Sequence, residues 1–578
     1  MPGLDRRTFV AHLSAAGLGG AFADVLVAGA QEAGEVTVAH VRDAEVVAGL
    51  EFTPEEREMM VRGLNEQLEA YRELREVRLP NGVPPAIRFD PAPPHAPAPA
   101  AEGEPEDRWA RVRVGRERGV RRPASLEEVA FWPVTRLAEL IRTGRVTSEE
   151  LTTLYLDRLR RHGPTLEAVI TLTDDLALEQ ARRADAELAT GHYRGPLHGI
   201  PWGAKDLLAT EGYRTTWGAK PYQEQRIPED AAVVRRLEEA GAVLVAKLTL
   251  GALAMGDRWY GGRTRNPWDL EQGSSGSSAG SAAATVAGLV GFGIGTETLG
   301  SIVSPCTRTG ASGLRPTFGR VSRHGAMALS WTMDKIGPIC RSAEDCALVF
   351  AAIHGADGRD PTARTVPFRY DSRRPLSELR VGYLDAGFDR EPGGGDEEAV
   401  ARSRQAIRLE NEALDVVRGL GVDPVPVALP DGLPVSALRI ILEAEAAAAF
   451  DELTRTSQDE LLVAQETWSW PNAFRQARMI PAVEYIQANR IRTMLMGEME
   501  KVMADVDVFI TPSYAGNVLL TTNLTGHPAV VVPNGFIDGR PTSISFIGGL
   551  WKDDAALRLA TAYQHATEFH RRVPERFL

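Results

Sequence analysis

The chain has 578 residues, with 65 Lys and Arg against 78 Asp and Glu, a net charge of -13. That balance excludes a general nucleic-acid binder, whose phosphate contacts need a basic face. Three cysteines exclude a disulfide-stapled scaffold, and no apolar run reaches the ~18–20 residues of a membrane-spanning helix. With 43% hydrophobic and 25% charged residues, most of the chain can bury a core, either as one large α/β domain with additions or as two to four domains.

Residues 1–30 carry Arg6-Arg7, then Phe9, a weakly apolar Gly/Ala-rich stretch, and the small-x-small pattern Ala28-Gly29-Ala30. This order resembles a twin-arginine export signal and implies a periplasmic or extracellular protein. The competing reading is a surface helix or tail that holds two arginines. Twin-arginine cargo crosses already folded, so Cys306, Cys340 and Cys346 are compatible with export. Cys340 and Cys346 either pair or stay as buried thiols, and free thiols are the expectation.

An extension over 31–122 follows. Thr53 can cap a helix, Pro54 suits its first turn, and Glu56 completes a capping box. Met60, Leu64, Leu68, Tyr71 and Leu74 recur at three and four residues, which predicts an amphipathic helix over 53–78. Such a stripe must bury, against the main body or in a dimer contact, so a homo-oligomer is compatible. Nine prolines within 80–105 exclude regular structure and read as a linker or strap. From 123 to 578 the sequence is ordinary globular text. Leu137, Leu140 and Ile141 predict a helix stopped by Gly144, and Thr147 starts another through Leu151, Tyr155 and Leu159. Short β-branched runs at Ala242–Ala246 and Val506–Ile510 alternate with helices, the mark of an α/β fold.

Three segments within 198–340 carry the chemistry. His198-Gly-Ile-Pro-Trp-Gly-Ala-Lys205-Asp206 puts a lysine in an apolar, bent context, although a lone lysine is ordinarily a solvated surface charge. Gly273-Ser-Ser-Gly-Ser-Ser-Ala-Gly-Ser281 is open to three readings: a flexible linker, a phosphate cradle, or a packed turn entering a small-residue helix over Ala282–Val290. The Walker lysine is absent, and the helix favours the packed turn. Gly295-Thr-Glu-Thr-Leu-Gly-Ser301-Ile302 places a serine after a Gly-rich bend.

Together these segments resemble the amidase signature family. "GIPWGAKD", "GSSGSSAGSAAA", "GTETLGSIVSP…GASGLRPTFGRVS", "MDKIGPICRSAEDCA" and "TGHPAVVVPNGF" are similar to five ordered family blocks, over about 133–360 and 505–572. The resemblance implies an α/β fold with a central mixed β-sheet covered by helices on both faces. It also implies a Ser–cis-Ser–Lys triad on Ser301, Ser277 and Lys205, with Ser278 supporting and the backbone N–H groups of Thr298, Leu299, Gly300 and Ser301 facing an oxyanion. Leu299 stands for a usual Gly, Glu297 for the commoner Asp, and Val303 for a frequent Arg, so substrate preferences need not transfer.

A serine hydroxyl needs a base, and a lysine serves only when burial keeps it neutral. The 11 histidines show neither HExxH nor a Cys/His cluster, so no metal and no cofactor are expected. The expected function is hydrolysis of a small-molecule carboxamide C–N bond through an acyl-enzyme, with esters and carbamates as further substrates of the same chemistry. The alternatives are a protein like the ammonia-supplying A-subunits of amidotransferases, working for a tRNA-linked partner, and a silent binding relative. Trp468, Trp470, Phe474 and Tyr485 in the divergent stretch 365–500 read as an apolar cleft or as core, with core packing expected.

Overall fold

The short β-branched runs assemble into one eleven-stranded sheet. The computed structural model describes residues 35–77, 86–87, 108–115 and 119–578; the expected export signal at 1–30 and most of the Pro-rich stretch at 80–105 lie outside the described residues. In chain order the strands are β1 Val169–Leu172, β2 Pro201–Lys205, β3 Val243–Leu248, β4 Phe292–Glu297, β5 Ser312–Arg315, β6 Lys335–Cys340, β7 Val381–Leu384, β8 Val425–Val427, β9 Val508–Pro512, β10 Ala529–Ile537 and β11 Arg540–Gly548. Their order across the sheet is β8-β7-β9-β11-β10-β5-β6-β4-β2-β3-β1. β2 lies parallel between β3 and β4, while β4, β6, β5, β10, β11 and β9 pair successively antiparallel, so the sheet is mixed.

Every residue of β2, β3, β4, β5, β6 and β9 is buried, which requires cover on both faces. Leu156 and Leu159 of the helix Ser148–Leu166 and Ala177 and Ala181 of the helix Asp174–Ala189 pack with Val243 and Val245 of β3. Val303 and Cys306 of the helix Val303–Thr309 pack with Ile339 of β6 and Val531 of β10. All three cysteines are buried and free, so Cys340 and Cys346 do not pair. Among the described residues no helix is long and apolar enough to cross a membrane.

The helix expected over Ala282–Val290 runs instead over Ala279–Val286. Gly280 belongs to its first turn, where a Cβ would come within 2.5 Å of Thr249 N, and Gly288 at φ +67° follows its end. Gly280 therefore serves close packing inside the helix, where a Gly after a Ser run ordinarily signals a turn.

The chain divides into two compact units, one ending at Arg72 and one starting at Glu73. The first holds the helix Val38–Ala48, capped by Thr37 and ended by Gly49 at φ +64°, and most of the helix Pro54–Glu76. The predicted capping box is present: Thr53 N donates to Glu56 Oε2 at 2.8 Å and Glu56 N to Thr53 Oγ1 at 3.2 Å. Arg57 pairs with Glu45 at 2.8 Å, and Val36 N donates to Asn65 Oδ1 at 2.7 Å. At the start of the second unit, Arg75 Nε donates to Glu484 Oε1 at 2.8 Å and Ala86 N to Asn489 O at 3.0 Å, both on the helix Ala482–Ala504.

Candidate active site

Lys205 ends β2, held between β3 and β4, and its side chain has no exposed surface. Its Nζ donates to Ser277 Oγ at 2.8 Å, Thr296 Oγ1 at 2.8 Å and Ser278 Oγ at 3.1 Å. No carboxylate forms an ion pair with it among the described residues. Burial pulls its pKa down from 10.5 to about 7, against the weaker upward pull of Asp334 and Glu297. Burial thus brings the neutral amine within reach near neutral pH.

The Gly/Ser run is a packed turn, as the helix behind it suggested. Ser274, Ser277, Ser278 and Ser281 are all fully buried. A Cβ on Gly276 would meet Gly256 O at 1.8 Å, so only glycine fits there. The Gly276–Ser277 peptide is cis. The two neighbouring serines have different commitments. Ser278 Oγ donates to Thr296 O and accepts from Thr296 N, both at 3.1 Å, so its proton is spent on β4. Ser277 carries no such backbone bond and is left facing Lys205.

Ser301 lies in the turn between β4 and the helix Val303–Thr309, after Gly300 at φ +85°. It is 7% exposed, against 0% for Ser277 and Lys205, so Ser301 is the residue of the three that keeps some surface. Ser278 N donates to Ser301 O at 3.1 Å, which ties this turn to the Gly/Ser turn. The N–H groups of Thr298, Leu299, Gly300 and Ser301 meet no acceptor among the described residues. A row of unspent peptide donors beside a serine suits a developing oxyanion.

Glu297, which stands for the commoner Asp, anchors this turn from below. Its Oε2 accepts from Ile302 N at 2.8 Å and Val303 N at 2.9 Å, and its Oε1 from Arg315 Nη1 at 2.8 Å and Asn523 Nδ2 at 2.9 Å. Burial raises its pKa, but Arg315 and these N–H groups outweigh burial and hold it at about 2. A carboxylate lowered from 4.5 stabilises the fold above its unfolded pKa, and that stabilisation is lost as pH falls from 4.5 through about 2. Glu297→Gln leaves the buried Arg315 uncompensated, so a loss of about 3–5 kcal/mol is expected. Urea unfolding at pH 7 checks it; an unchanged midpoint contradicts the anchoring role.

Several residues here carry only a weak sequence signal. Thr296 and Glu297 sit inside the 295–302 segment, and nothing in that segment marks them as contacts. Asp334 accepts Thr298 Oγ1 at 2.5 Å and the N–H groups of Leu329 and Ser330 at 2.8 and 3.0 Å. The divergent stretch supplies a clamp: Glu445 accepts from Ser330 Oγ at 2.6 Å, Thr332 Oγ1 at 2.7 Å and Tyr485 OH at 2.9 Å, and Arg492 Nη2 donates to Thr332 O at 2.8 Å. These long-range partners carry no local motif. Tyr485 is therefore part of the clamp. Trp470 and Phe474 stack at 5.0 Å in the core, whereas Trp468 is 61% exposed with Arg258 5.3 Å over its ring.

A cavity of about 370 Å³ lies beside this centre, lined by Thr296, Thr298, Asp334, Lys335 and Trp331, the last 48% exposed; Lys205, Ser277 and Ser301 are not among its lining residues. Among the described residues no cluster of three His, Cys, Asp or Glu side chains forms a metal site.

The sequence profile of the amidase family matches residues 150–557. The A-subunit of the glutamyl-tRNA(Gln) amidotransferase of Moorella thermoacetica is 34% identical over 491 residues, covering 78% of this chain and 99% of its own. The native peptide amidase of Stenotrophomonas maltophilia is similar with a TM-score of 0.66 at 31% identity, covering 76% of this chain and 98% of that one. A bacterial aryl acylamidase of the amidase signature enzymes shares the fold with a TM-score of 0.66 at 22% identity, over 77% of this chain and 98% of that one.

Proposed function

This chain belongs to the amidase family, and on that footing we propose that it hydrolyses a small-molecule carboxamide, with Ser301 as nucleophile, Ser277 as proton relay and Lys205 as base. The observation that carries the reading is a fully buried lysine, bonded to hydroxyls and held near pKa 7, one hydrogen bond from a serine. In the neutral amine the 2.8 Å contact reverses, and Ser277 O–H donates to Nζ.

Ser301 Oγ attacks the amide carbonyl carbon while its proton passes to Ser277, whose own proton passes to Lys205 Nζ. The N–H groups of residues 298–301 receive the oxyanion, and in other enzymes one such donor is worth about 3–4 kcal/mol. Collapse breaks the C–N bond, and the proton returns from Lys205 through Ser277 to the leaving amine. Water then attacks the Ser301 ester by the same route in reverse and releases the carboxylic acid. Ser278, its proton committed to Thr296, supports Lys205 without relaying.

A panel of amides, esters and carbamates run on wild type beside Ser301→Ala tests the reading. Turnover of at least one amide by wild type and none by the variant supports it; turnover that survives in the variant overturns it. The 34% identity to the A-type chain of an amidotransferase favours a second reading, release of ammonia from glutamine for a partner. The extension at 31–122 and the export-type N-terminus favour the free-standing hydrolase. L-glutamine in the same panel separates the two.

The motif order at 1–30 supports export as part of this reading. The mature chain is expected to begin near Gln31, and Arg6→Lys with Arg7→Lys to keep the precursor in the cytoplasm. N-terminal sequencing of the native protein that returns Met1 or Pro2 contradicts this.

A further inference from the structure

The mechanism uses one buried lysine, and the site contains a second. Lys335 opens β6 directly opposite Glu297 of β4 and is 2% exposed. Its Nζ has no hydrogen-bond partner among the described residues. The nearby carboxylates are already engaged, Glu297 by Arg315, Asn523, Ile302 and Val303, and Asp334 by Thr298, Leu329 and Ser330. Arg315 and Arg492 add positive charge around it. A buried polar group without a partner is costly and calls for an explanation.

Lys335 also helps to line the 370 Å³ cavity, together with Thr296, which bonds Lys205, and Thr298, whose peptide belongs to the donor row. A molecule filling the cavity therefore lies against Lys335 and against Thr296 and Thr298, two residues that border the proposed reacting centre. The other walls include Leu207, Ala254, Met327, Leu329 and Ile336. Arg323, Arg359, Asp334 and Asp360 line it too, but each has a partner: Arg323 pairs with Asp360 at 3.1 Å, Arg359 with Glu229 at 3.3 Å, and Asp334 accepts from Thr298, Leu329 and Ser330, so Lys335 is the lining charge whose head group has no hydrogen bond among the described residues. Lys335 among these apolar walls suits an apolar substituent with a single charged group. Two guanidiniums nearby disfavour a cation, and an ammonium–carboxylate pair gains strength where apolar walls exclude water.

Resting on the hydrolase reading above, we propose that Lys335 determines specificity and that the substrate is an amide whose apolar, cavity-filling part carries a carboxylate. Burial, reinforced by Arg315, holds Lys335 well below its ordinary pKa. An entering carboxylate opposes that shift, so binding is coupled to proton uptake from solvent, which favours the ammonium partner of the anion.

Calorimetric titration of the full chain carrying Ser301→Ala tests the assignment without turnover. The anionic probes are 3-carbamoylbenzoate, 4-carbamoylbenzoate and adipic acid monoamide; the neutral ones are benzamide and hexanamide. At least one anionic probe is expected to bind tenfold or more tighter than its neutral counterpart, with an enthalpy that tracks buffer ionisation. Lys335→Met, and independently Lys335→Gln, should erase both the preference and the proton uptake. Equal binding of anionic and neutral probes, undetectable binding of all five, or a preference that survives both substitutions overturns the assignment. The two readings fail separately. Ser301-dependent hydrolysis of neutral amides, with no role for Lys335, removes only this inference. Hydrolysis that ignores Ser301 removes the hydrolase reading, and the titrations still decide Lys335.

Discussion

Ser301→Ala is expected to abolish turnover, a loss on the order of 10⁴-fold to 10⁶-fold in kcat, with the fold intact. In the proposed mechanism Ser301 supplies the oxygen that forms the covalent bond, and no neighbouring group substitutes for it. Ser277 has no exposed surface, and the Ser278 hydroxyl is bound to both the N–H and the carbonyl of Thr296. The structural tie at this residue is made by its backbone, since Ser278 N donates to Ser301 O, so alanine keeps it. Steady-state kinetics with thermal unfolding of the same preparation checks both halves. Residual activity above about one part in a thousand, with wild-type stability, assigns the nucleophile elsewhere.

Lys205→Met is expected to lower kcat by three orders of magnitude or more and yet to leave the protein no less stable at pH 7. The activity follows from base chemistry: two serines have no group that takes up a proton near neutrality. The wild-type rate should rise with pH through about 7, as the amine loses its proton. The stability follows from linkage. The folded pKa of about 7 lies below the unfolded 10.5, so the unfolded chain binds more protons between those values. The contribution of Lys205 to stability therefore improves as pH rises from 7 to 10.5. Below pH 7 its burial costs on the order of 5 kcal/mol. Methionine removes that cost and deprives Ser277, Ser278 and Thr296 of one partner each, so the net change at pH 7 is nil or stabilising. A Tm lowered by more than a few degrees contradicts this balance.

The centre is legible in the sequence because its residues stand in odd company. Lys205 follows Pro201, Trp202, Gly203 and Ala204, a setting that buries rather than solvates an amine. The small-residue helix behind the Gly/Ser run distinguishes a packed turn from a linker. The choice of Ser277 over Ser278 comes from resemblance alone; its physical reason, the commitment of Ser278 to Thr296, appears only when β4 is placed beside the turn. Lys335 has the same kind of signal as Lys205, a charge ahead of Ile336-Gly-Pro-Ile-Cys340, but stands in a block that resemblance alone makes conspicuous. Glu445, Tyr485 and Arg492 are illegible, since each matters through the 329–334 loop, far away in sequence. The helix Val38–Ala48 escapes sequence reasoning because Val38, Val46 and Val47 are exposed, so its apolar residues draw no stripe, and β-branched residues are poor helix formers. The strands are easier: full burial on both faces makes much of them apolar, as in residues 243–246 of β3.

Labelling with a fluorophosphonate, followed by peptide mass spectrometry, tests the Ser301–Ser277–Lys205 assignment most directly, because the reaction needs an activated serine and no knowledge of the substrate. Label on Ser301 in wild type, at a rate that rises with pH through about 7 and falls at least a hundredfold in Lys205→Met, is the predicted result. Label on another serine, or on Ser301 at an unchanged rate in Lys205→Met, contradicts it.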